Sequence, residues 1–280
     1  MGLIGVTGAS GHVGGRVARA LAAAGLPQRL VVRDASRAPD LPGADVRVAS
    51  YADGGALRHA LDGVDVLLLV SASEDAGRVQ LHRSAVEAAA AAGVRRVVYT
   101  SFLGAAPDCT FTFGRDHAAT EELLTAAGLQ ATVLRDSFYL DVLPEFVTAG
   151  ALRGPAGSGR VAAVARDDVA EVAVAALLDD SHAGRTYDVT GAQALTLEEV
   201  AATITRVTGE PVRYVQESVE EAYASRAGFG APAWEVDGWV STYTAIAAGE
   251  LDVVSDVVQR LTGHPPRTLE DVLRARSPHT

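Results

Sequence analysis

Three glycines near the start of the chain have the spacing of a turn that binds phosphate. Gly8, Gly11 and Gly14 lie in the segment "TGASGHVG", between an apolar run that favours a strand and an alanine-rich run that favours a helix. In such a strand–turn–helix unit the first glycine permits a tight turn and the second lets a pyrophosphate approach the backbone. The third lets the helix pack closely on the strand. The segment therefore predicts a dinucleotide site, with a purely structural glycine turn as the alternative.

Further contacts to the dinucleotide are expected at the carboxyl ends of later predicted strands, where ligands bind in open parallel sheets. Asp53 is a candidate for the adenine side, and capping of the following helix is an equally good interpretation of that residue. At the end of the fifth strand Thr100 and Ser101 are preferred to Tyr99, which fits the core. The residues predicted to bind the cofactor on these grounds are Thr7, Gly8, Ser10, Gly11, His12, Val13, Gly14, Arg33, Asp53, Ser71, Ala72, Ser73, Thr100 and Ser101.

The residue types at the end of the second predicted strand indicate whether NAD(H) or NADP(H) is the preferred cofactor. An enzyme that uses NAD commonly has an acidic residue there, which binds the ribose 2′-hydroxyl. In "VVRDASR" the first polar residue is Arg33, with Arg37 close by, and a guanidinium favours a 2′-phosphate. We therefore predict NADP(H) in preference to NAD(H). Asp34 keeps NAD(H) as the alternative, and a solvated surface arginine is the alternative for Arg37.

The chain contains no lysine, so all 24 residues counted as Lys or Arg are arginine. A GC-rich genome is sufficient to explain this bias. Its chemical consequence is that the protein can form no Schiff base, no Walker-type lysine contact and no lysine-assisted proton relay.

Charge and composition exclude several classes of partner. The 280 residues carry a formal net charge of −11, which argues against direct nucleic-acid binding and against an anionic membrane surface. The single cysteine, Cys109, cannot form an internal disulfide and has no evident base beside it. No basic leader, membrane-length apolar run or metal-ligand spacing is evident. We expect a cytoplasmic monomer or homodimer without a metal or a membrane partner.

Strand-like and helix-like segments alternate through the first half of the chain. The strands are predicted at 3–6, 28–33, 45–50, 65–71, 95–101 and 130–136, with helices near 12–24, 54–61, 77–92 and 113–127. This alternation predicts an α/β fold, a Rossmann-type doubly wound parallel sheet. Residues 1–139, with a segment at about 161–191 returning to them, are expected to form the NADP(H)-binding domain. Residues 140–160 and 192–280 are expected to form a smaller, mostly helical lobe on the substrate side.

Several segments in the expected order over nearly the whole length resemble one family. They are "TGASGHVG", "VVRDASR", "LLLVSAS", "AAGVRRVVYTS", "RDHAATEELL", "VLRDSFY" and "LTGHPPRTLEDVL". The chain resembles the NmrA-like branch of the atypical short-chain dehydrogenases, and within it the bacterial type 2 NAD(P)H:quinone oxidoreductases, with triphenylmethane reductases as relatives. The resemblance implies an NADPH site that also includes the "DSFY" segment, hence Ser137 and Phe138, and a flat quinone-like substrate beside the nicotinamide.

The chain departs from ordinary short-chain dehydrogenases at the Tyr-x-x-x-Lys pair that moves a proton in that family. In "FGRDH", Phe113 stands where the tyrosine would be and His117 where the lysine would be. Reduction of a carbonyl by the usual relay is therefore not expected, whereas a quinone accepts hydride without it. We predict His117 and Tyr139 as catalytic residues, and a surface histidine beside Asp116 is the alternative for His117.

Aromatic residues cluster around the same predicted crevice in a chain that is otherwise poor in them. Those predicted to stack on a substrate are Phe102, Phe111, Phe113 and Tyr139, with core packing as the alternative. His82, on a predicted helix, is expected at the surface or facing a partner.

Three functions are consistent with these features. The first is an NADPH-dependent reductase of quinones or similar conjugated acceptors. The second is a non-catalytic NADP(H)-binding redox sensor of the NmrA type. The third is a reductase or isomerase of a natural-product pathway.

Overall fold

The apolar runs near the start of the chain form a central parallel sheet in the computed structural model, which describes residues 2–276. The strands are β1 (Leu3–Thr7), β2 (Gln28–Val32), β3 (Ala44–Val48), β4 (Val64–Leu69), β5 (Arg96–Phe102), β6 (Gln130–Asp136), β7 (Ala151–Gly154), β8 (Arg160–Val161), β9 (Thr186–Val189), β10 (Leu195–Thr196) and β11 (Arg213–Gln216).

The helices follow the strands in the order expected for a doubly wound fold. They are α1 (His12–Ala23), α2 (Gly54–Ala60), α3 (Arg78–Ala91), α4 (Thr112–Ala126), α5 (Arg166–Leu178), α6 (Leu197–Thr208), α7 (Val219–Arg226), α8 (Ala233–Ala247), α9 (Val257–Thr262) and α10 (Leu269–Arg276). Within the described residues, no helix combines the length and the apolar composition that a membrane span needs.

The strand order of the sheet creates a switch point between β1 and β4. The seven strands run β3-β2-β1-β4-β5-β6-β9, so the chain builds outward on one side of β1 and then on the other. Leu3 to Val6 of β1 pair with β4, and Ile4 to Thr7 pair in parallel with β2. The predicted α/β doubly wound parallel sheet is confirmed. In such a sheet the crevice beyond the carboxyl ends of the two central strands is where ligands bind.

Continuous burial explains why these strands read as apolar runs rather than as alternating patterns. In β5 the successive residues Val97, Val98 and Tyr99 all have no exposed surface, and Leu67, Leu68 and Leu69 of β4 are at most 1% exposed. A strand with helices on both faces buries both sets of side chains, so no polar face remains.

The chain divides into two compact units. The first contains residues 2–102, Asp116–Arg135 and Val169–Tyr187, and therefore most of the sheet with α1, α2 and α3. The second contains Leu103–Arg115, Asp136–Asp168 and 188–276, and has two small two-stranded sheets, β10-β8 and β11-β7, beside α6 to α10. The sequence-based division into a cofactor domain and a substrate lobe stays a prediction.

A buried arginine closes the end of α5 within the first unit. Arg96, on β5, has no exposed surface, and its guanidinium donates from Nη1 to the Ala176 carbonyl at 2.5 Å and from Nη2 to the Leu177 carbonyl at 2.8 Å. Its Nε lies 3.2 Å from Asp180. The last carbonyls of a helix have no partner inside the helix, and Arg96 supplies the hydrogen-bond donors that water would supply at an exposed helix end.

We expect Arg96→Met to lower the free energy of unfolding by about 2–3 kcal/mol, because two buried carbonyls lose charged donors. The measurement is urea denaturation. The control is Arg95→Met, since the Arg95 side chain is 43% exposed and pairs with Asp65 at 3.0 Å at the surface. That variant should lose less than about 1 kcal/mol. Equal losses in the two variants would contradict the proposed helix-end role.

Candidate functional site

The glycine turn connects β1 to α1 without a side-chain cap. Gly8 has a φ of +61°, in the left-handed region that favours glycine, and the Gly11 amide donates to the Gly8 carbonyl at 2.8 Å. Helix α1 begins at His12, and among residues 2–276 no side chain caps it at Gly11. The amino end of a helix attracts anions through its backbone N–H groups and its dipole, so this end is suited to a phosphate.

The third glycine of the turn, Gly14, has no room for a side chain. A Cβ atom at Gly14 would lie 2.5 Å from the Gly8 carbonyl oxygen and 2.8 Å from the Thr7 carbonyl oxygen. A Cβ at Gly11 would lie 3.1 Å from the Gly8 oxygen. The close packing predicted for the third glycine of a dinucleotide turn is therefore present in this chain, and the turn fits the phosphates of such a cofactor.

A cleft of about 760 Å³ opens at the switch point of the sheet, within the size range of small-molecule sites. It begins at the glycine turn and continues past the ends of β2, β3 and β4. The predicted residues that line it are Gly8, Ser10, Gly11, His12, Arg33, Ser71, Ala72 and Ser73. Lining residues that sequence reasoning did not single out include Arg16, Arg19, Ser50, Tyr51, Val70, Glu74 and Asp75.

Two exposed arginines lie at the β2 side of the cleft. Arg33 and Arg37 both line it, and within the described residues neither guanidinium has a hydrogen bond or an ion pair. The neighbouring Asp34 is not part of the lining; it accepts hydrogen bonds from the Ser36 amide at 2.9 Å and the Ser36 hydroxyl at 2.7 Å. These bonds lower the pKa of Asp34. The carboxylate that would favour NAD(H) is thus engaged by Ser36.

Other predicted contacts brace the cleft rather than line it. The Thr7 hydroxyl donates to the Leu68 carbonyl at 3.0 Å and accepts the Val70 amide at 3.0 Å, joining β1 to the end of β4. The Tyr51 hydroxyl lies 2.6 Å from Thr7 Oγ1 and 2.7 Å from the Val70 carbonyl oxygen. Val13 and Gly14 are buried behind the turn. Contact of Thr7, Val13 and Gly14 with the cofactor stays a prediction.

Asp53, Thr100 and Ser101 each bond a protein group. Asp53 caps α2, because its carboxylate accepts the Ala56 amide at 2.9 Å, which is the capping interpretation left open by the sequence. Thr100 Oγ1 accepts the Ser71 amide at 2.9 Å. Ser101 donates to Glu121 at 2.6 Å. Their contact with a cofactor stays a prediction.

His82, which was expected at the surface, and His117, for which a surface position was the alternative, are both buried. His117 is 5% exposed; its Nε2 lies 3.1 Å from Arg78 Nη2 and its Nδ1 lies 2.9 Å from the Tyr99 hydroxyl. The surface interpretation of His117 is therefore wrong. The expected surface position of His82 is also wrong, because its side chain has no exposed area and bonds the Ala72 amide and the Thr120 hydroxyl. Burial lowers the pKa of both imidazoles, and the charge of Arg78 lowers it further.

The second unit brings three of the predicted aromatic residues together. The ring centroid of Phe111 lies 5.2 Å from that of Phe138 and 5.6 Å from that of Phe113, both edge-on. Trp234, which sequence reasoning missed, lies 5.9 Å from Phe113. Phe113 also packs directly on α8, where its ring occupies the space that a Cβ atom at Gly238 would need. Edge-on aromatic contacts of this kind are typical of a packed apolar cluster. Phe102 belongs to the first unit, 6.2 Å from the His117 ring.

Tyr139 is bonded to a buried acid in the second unit. Its hydroxyl donates to Asp136 Oδ2 at 3.1 Å, and the Arg166 guanidinium lies 5.1 Å from the centre of its ring. Asp136 is 2% exposed, and neither its Oδ1 nor the Ser137 hydroxyl has a partner within the described residues. Burial raises the pKa of Asp136 well above its usual range, and the Tyr139 hydrogen bond offsets this only in part.

The raised pKa of Asp136 predicts a specific pH dependence of stability. Because the folded protein keeps a proton that the unfolded chain releases, wild-type stability falls as pH rises from 3.8 through the raised pKa. Within that window the fall is about 1.4 kcal/mol per pH unit for one proton. Asp136→Asn cannot ionise and should gain on the wild type by this amount as pH rises, measured by urea denaturation at a series of pH values.

The control for that series is Asp252→Asn, an exposed aspartate of the same unit that also loses one negative charge. A stability difference between Asp136→Asn and the wild type that stays constant with pH would show that Asp136 is ionised in the folded protein.

Comparison with known proteins agrees with this geometry. The model of the NAD(P)H-binding family matches residues 8–180. The NAD(P)H azoreductase of Xenophilus azovorans is 33% identical over 278 residues, which is 97% of each chain. The (4-alkanoyl-5-oxo-2,5-dihydrofuran-3-yl)methyl phosphate reductase of Streptomyces griseus is 36% identical over 279 residues, 95% of each chain.

The fold comparison covers the whole molecule. The Escherichia coli NADPH-dependent quinone oxidoreductase, solved with NADPH, superposes with a TM-score of 0.89 at 32% identity, over 97% of this chain and 99% of that one. An NmrA-like oxidoreductase of Aspergillus flavus is also related over 96% of this chain. The chain therefore belongs to the NAD(P)H-binding family, and its relatives include quinone oxidoreductase 2 and an NmrA-like oxidoreductase.

Proposed function

We propose that the protein is an NADPH-dependent reductase that transfers hydride to a quinone or a similar conjugated acceptor. The observation that carries the cofactor part is the cleft at the switch point, with an uncapped helix end on one side and the exposed guanidinium groups of Arg33 and Arg37 on the other. A ligand with a pyrophosphate and a separate phosphate matches this distribution of charge.

Different groups of the cleft bind different parts of NADPH. The amides at the start of α1 bind the pyrophosphate, and Gly14 keeps that helix end close to β1. Arg33 and Arg37 bind the 2′-phosphate, while Ser71 to Ser73 form a wall of the cleft toward the nicotinamide. NADPH supplies a hydride when it is bound.

The class of hydride acceptor is inferred from the absence of lysine. Without lysine, the Tyr-Lys relay that protonates an alkoxide cannot form. Hydride transfer to a quinone leaves a stabilised hydroquinone anion, which water can protonate, so orientation of the two reactants supplies most of the rate.

A second candidate acceptor is a conjugated lactone. The Streptomyces griseus relative is named for reduction of a dihydrofuranone phosphate, whose ring carbon–carbon double bond is conjugated with a carbonyl. Such a substrate needs the same hydride donor as a quinone, and the two candidates differ in the phosphate group. A sensor without turnover is disfavoured by the reductase names of the relatives that match over almost the full chain.

We expect Arg33→Ala to weaken NADPH binding by about tenfold to a hundredfold, because the 2′-phosphate loses a charge-assisted hydrogen bond. The Kd of NADH should not change, so the NADPH preference narrows. Titration of cofactor fluorescence measures both constants. Arg58→Ala, an exposed arginine on α2, controls for the loss of one positive charge. A preference that is the same in Arg33→Ala as in the wild type would assign the 2′-phosphate to another residue.

The acceptor is tested by following NADPH oxidation with small quinones, azo dyes and a phosphorylated unsaturated lactone. We expect turnover with quinones. NADPH binding without turnover of any acceptor would contradict the reductase proposal and favour a sensor. Turnover confined to the lactone would assign the second candidate.

A further inference from the structure

Side chains, rather than backbone partners, hold the cleft wall beyond the end of β4. The Val70 amide donates to Thr7 Oγ1 at 3.0 Å, the Ser71 amide to Thr100 Oγ1 at 2.9 Å, and the Ala72 amide to His82 Nε2 at 2.9 Å. Val70, Ser71 and Ala72 all line the cleft. The three acceptors come from β1, β5 and α3, so each of these amides is hydrogen-bonded to a different element.

The proton positions on His82 follow from its partners. A backbone amide can only donate, so Nε2 of His82 carries no proton. Its Nδ1 lies 2.7 Å from Thr120 Oγ1, and the Thr120 hydroxyl donates to the Asp116 carbonyl at 2.7 Å. Because the Thr120 hydroxyl proton is used in the bond to the Asp116 carbonyl, Thr120 Oγ1 acts toward His82 as the acceptor of the Nδ1–H. His82 is neutral and in the Nδ1–H tautomer.

The same rule applies to the neighbouring histidine. The Arg78 guanidinium can only donate, so Nε2 of His117 accepts from it and Nδ1–H donates to the Tyr99 hydroxyl. The charged groups that face the pair are Arg78 and Asp116, whose closest atoms are 3.9 Å apart. His117 is neutral as well, which disfavours it as a proton donor. Burial first, and then the charge of Arg78, lower the pKa of His82 to about 3.

We infer that His82 is a positioning residue, which fixes the Ala72 peptide and through it the cleft wall that receives the cofactor. The inference rests on the proposed function for the identity of that cofactor. Thr120 of α4 completes the arrangement by holding the imidazole in the tautomer that accepts the Ala72 amide. Because neutral His82 is required and its ionisation lies far below neutrality, the wall keeps one geometry over the whole physiological range of pH.

The first test compares His82→Leu with His82→Gln. The Gln side chain has a carbonyl that can accept the Ala72 amide and an NH₂ that can donate to Thr120, whereas Leu leaves that amide without an acceptor. We expect His82→Leu to raise the Kd of NADPH by about tenfold and His82→Gln to recover most of the loss. The effect should fall on the KM for NADPH more than on kcat. His59→Gln, an exposed histidine on α2, is the matched control.

An unchanged Kd in folded His82→Leu, or a Gln variant that binds as weakly as the Leu variant, would overturn the inference. Thr120→Val and Thr120→Ser provide a second pair that leaves the imidazole in place. Valine should weaken NADPH binding and serine should not. The control for this pair is Thr125→Val, an exposed threonine of α4.

The tautomer is tested directly on the ¹⁵N-labelled wild-type protein without cofactor. Long-range proton–nitrogen correlation spectra should show His82 with a protonated Nδ1, unchanged between about pH 5 and 9. A protonated Nε2, or a titration of His82 in that range, would overturn the inference. If the wild type binds no NADPH, the proposed function fails while these spectra still decide the state of His82.

Discussion

The contact between Gly14 and the carbonyls of Thr7 and Gly8 is the constraint on which the site depends. At this point the backbone of α1 approaches the end of β1 so closely that a Cβ would lie 2.5 Å from an oxygen. The approach sets where the first amides of α1 lie and therefore where the cleft begins. A methyl group here would displace the helix end from the strand, and with it the phosphate site, although the sheet itself would remain.

Side chains of the first unit also fix the cleft wall at residues 70–72, beside this turn. Thr7 is the last residue of β1, directly before the turn, and it also accepts the Val70 amide, so the glycine turn and the wall are held by the same residue. Thr100 and His82 extend the wall by one peptide each. The polar groups of the cleft are therefore ordered before any ligand arrives, which reduces the entropy that binding must overcome.

The sheet and the turn could be predicted from the sequence because local patterns determine them. The strand predicted at 130–136 matches β6 at both ends, and β1 and β4 differ from their predictions by one or two residues. Arg33, predicted from its place at the end of a strand, lies in the lining of the cleft. By contrast, the burial of His82 and His117 was missed because both lie in sequences typical of an exposed helix. What buries them is a set of partners from α3, α4, β5 and the loop after β4, separated by up to 39 residues, and no local pattern records such a set. Tyr51 and Trp234 were not predicted either, because their partners are also distant in the sequence.

The hydrogen bonds of the cleft wall have a consequence for how such a site changes over time. Where a backbone amide is bonded to another backbone, no substitution can remove the acceptor without moving a whole strand. The amides of Val70, Ser71 and Ala72 instead each depend on one side-chain acceptor, from Thr7, Thr100 or His82. A single codon change can therefore release or re-aim one peptide of the wall while the sheet beneath it stays intact. The fold thus allows the shape of this cleft to be adjusted in small, separate steps.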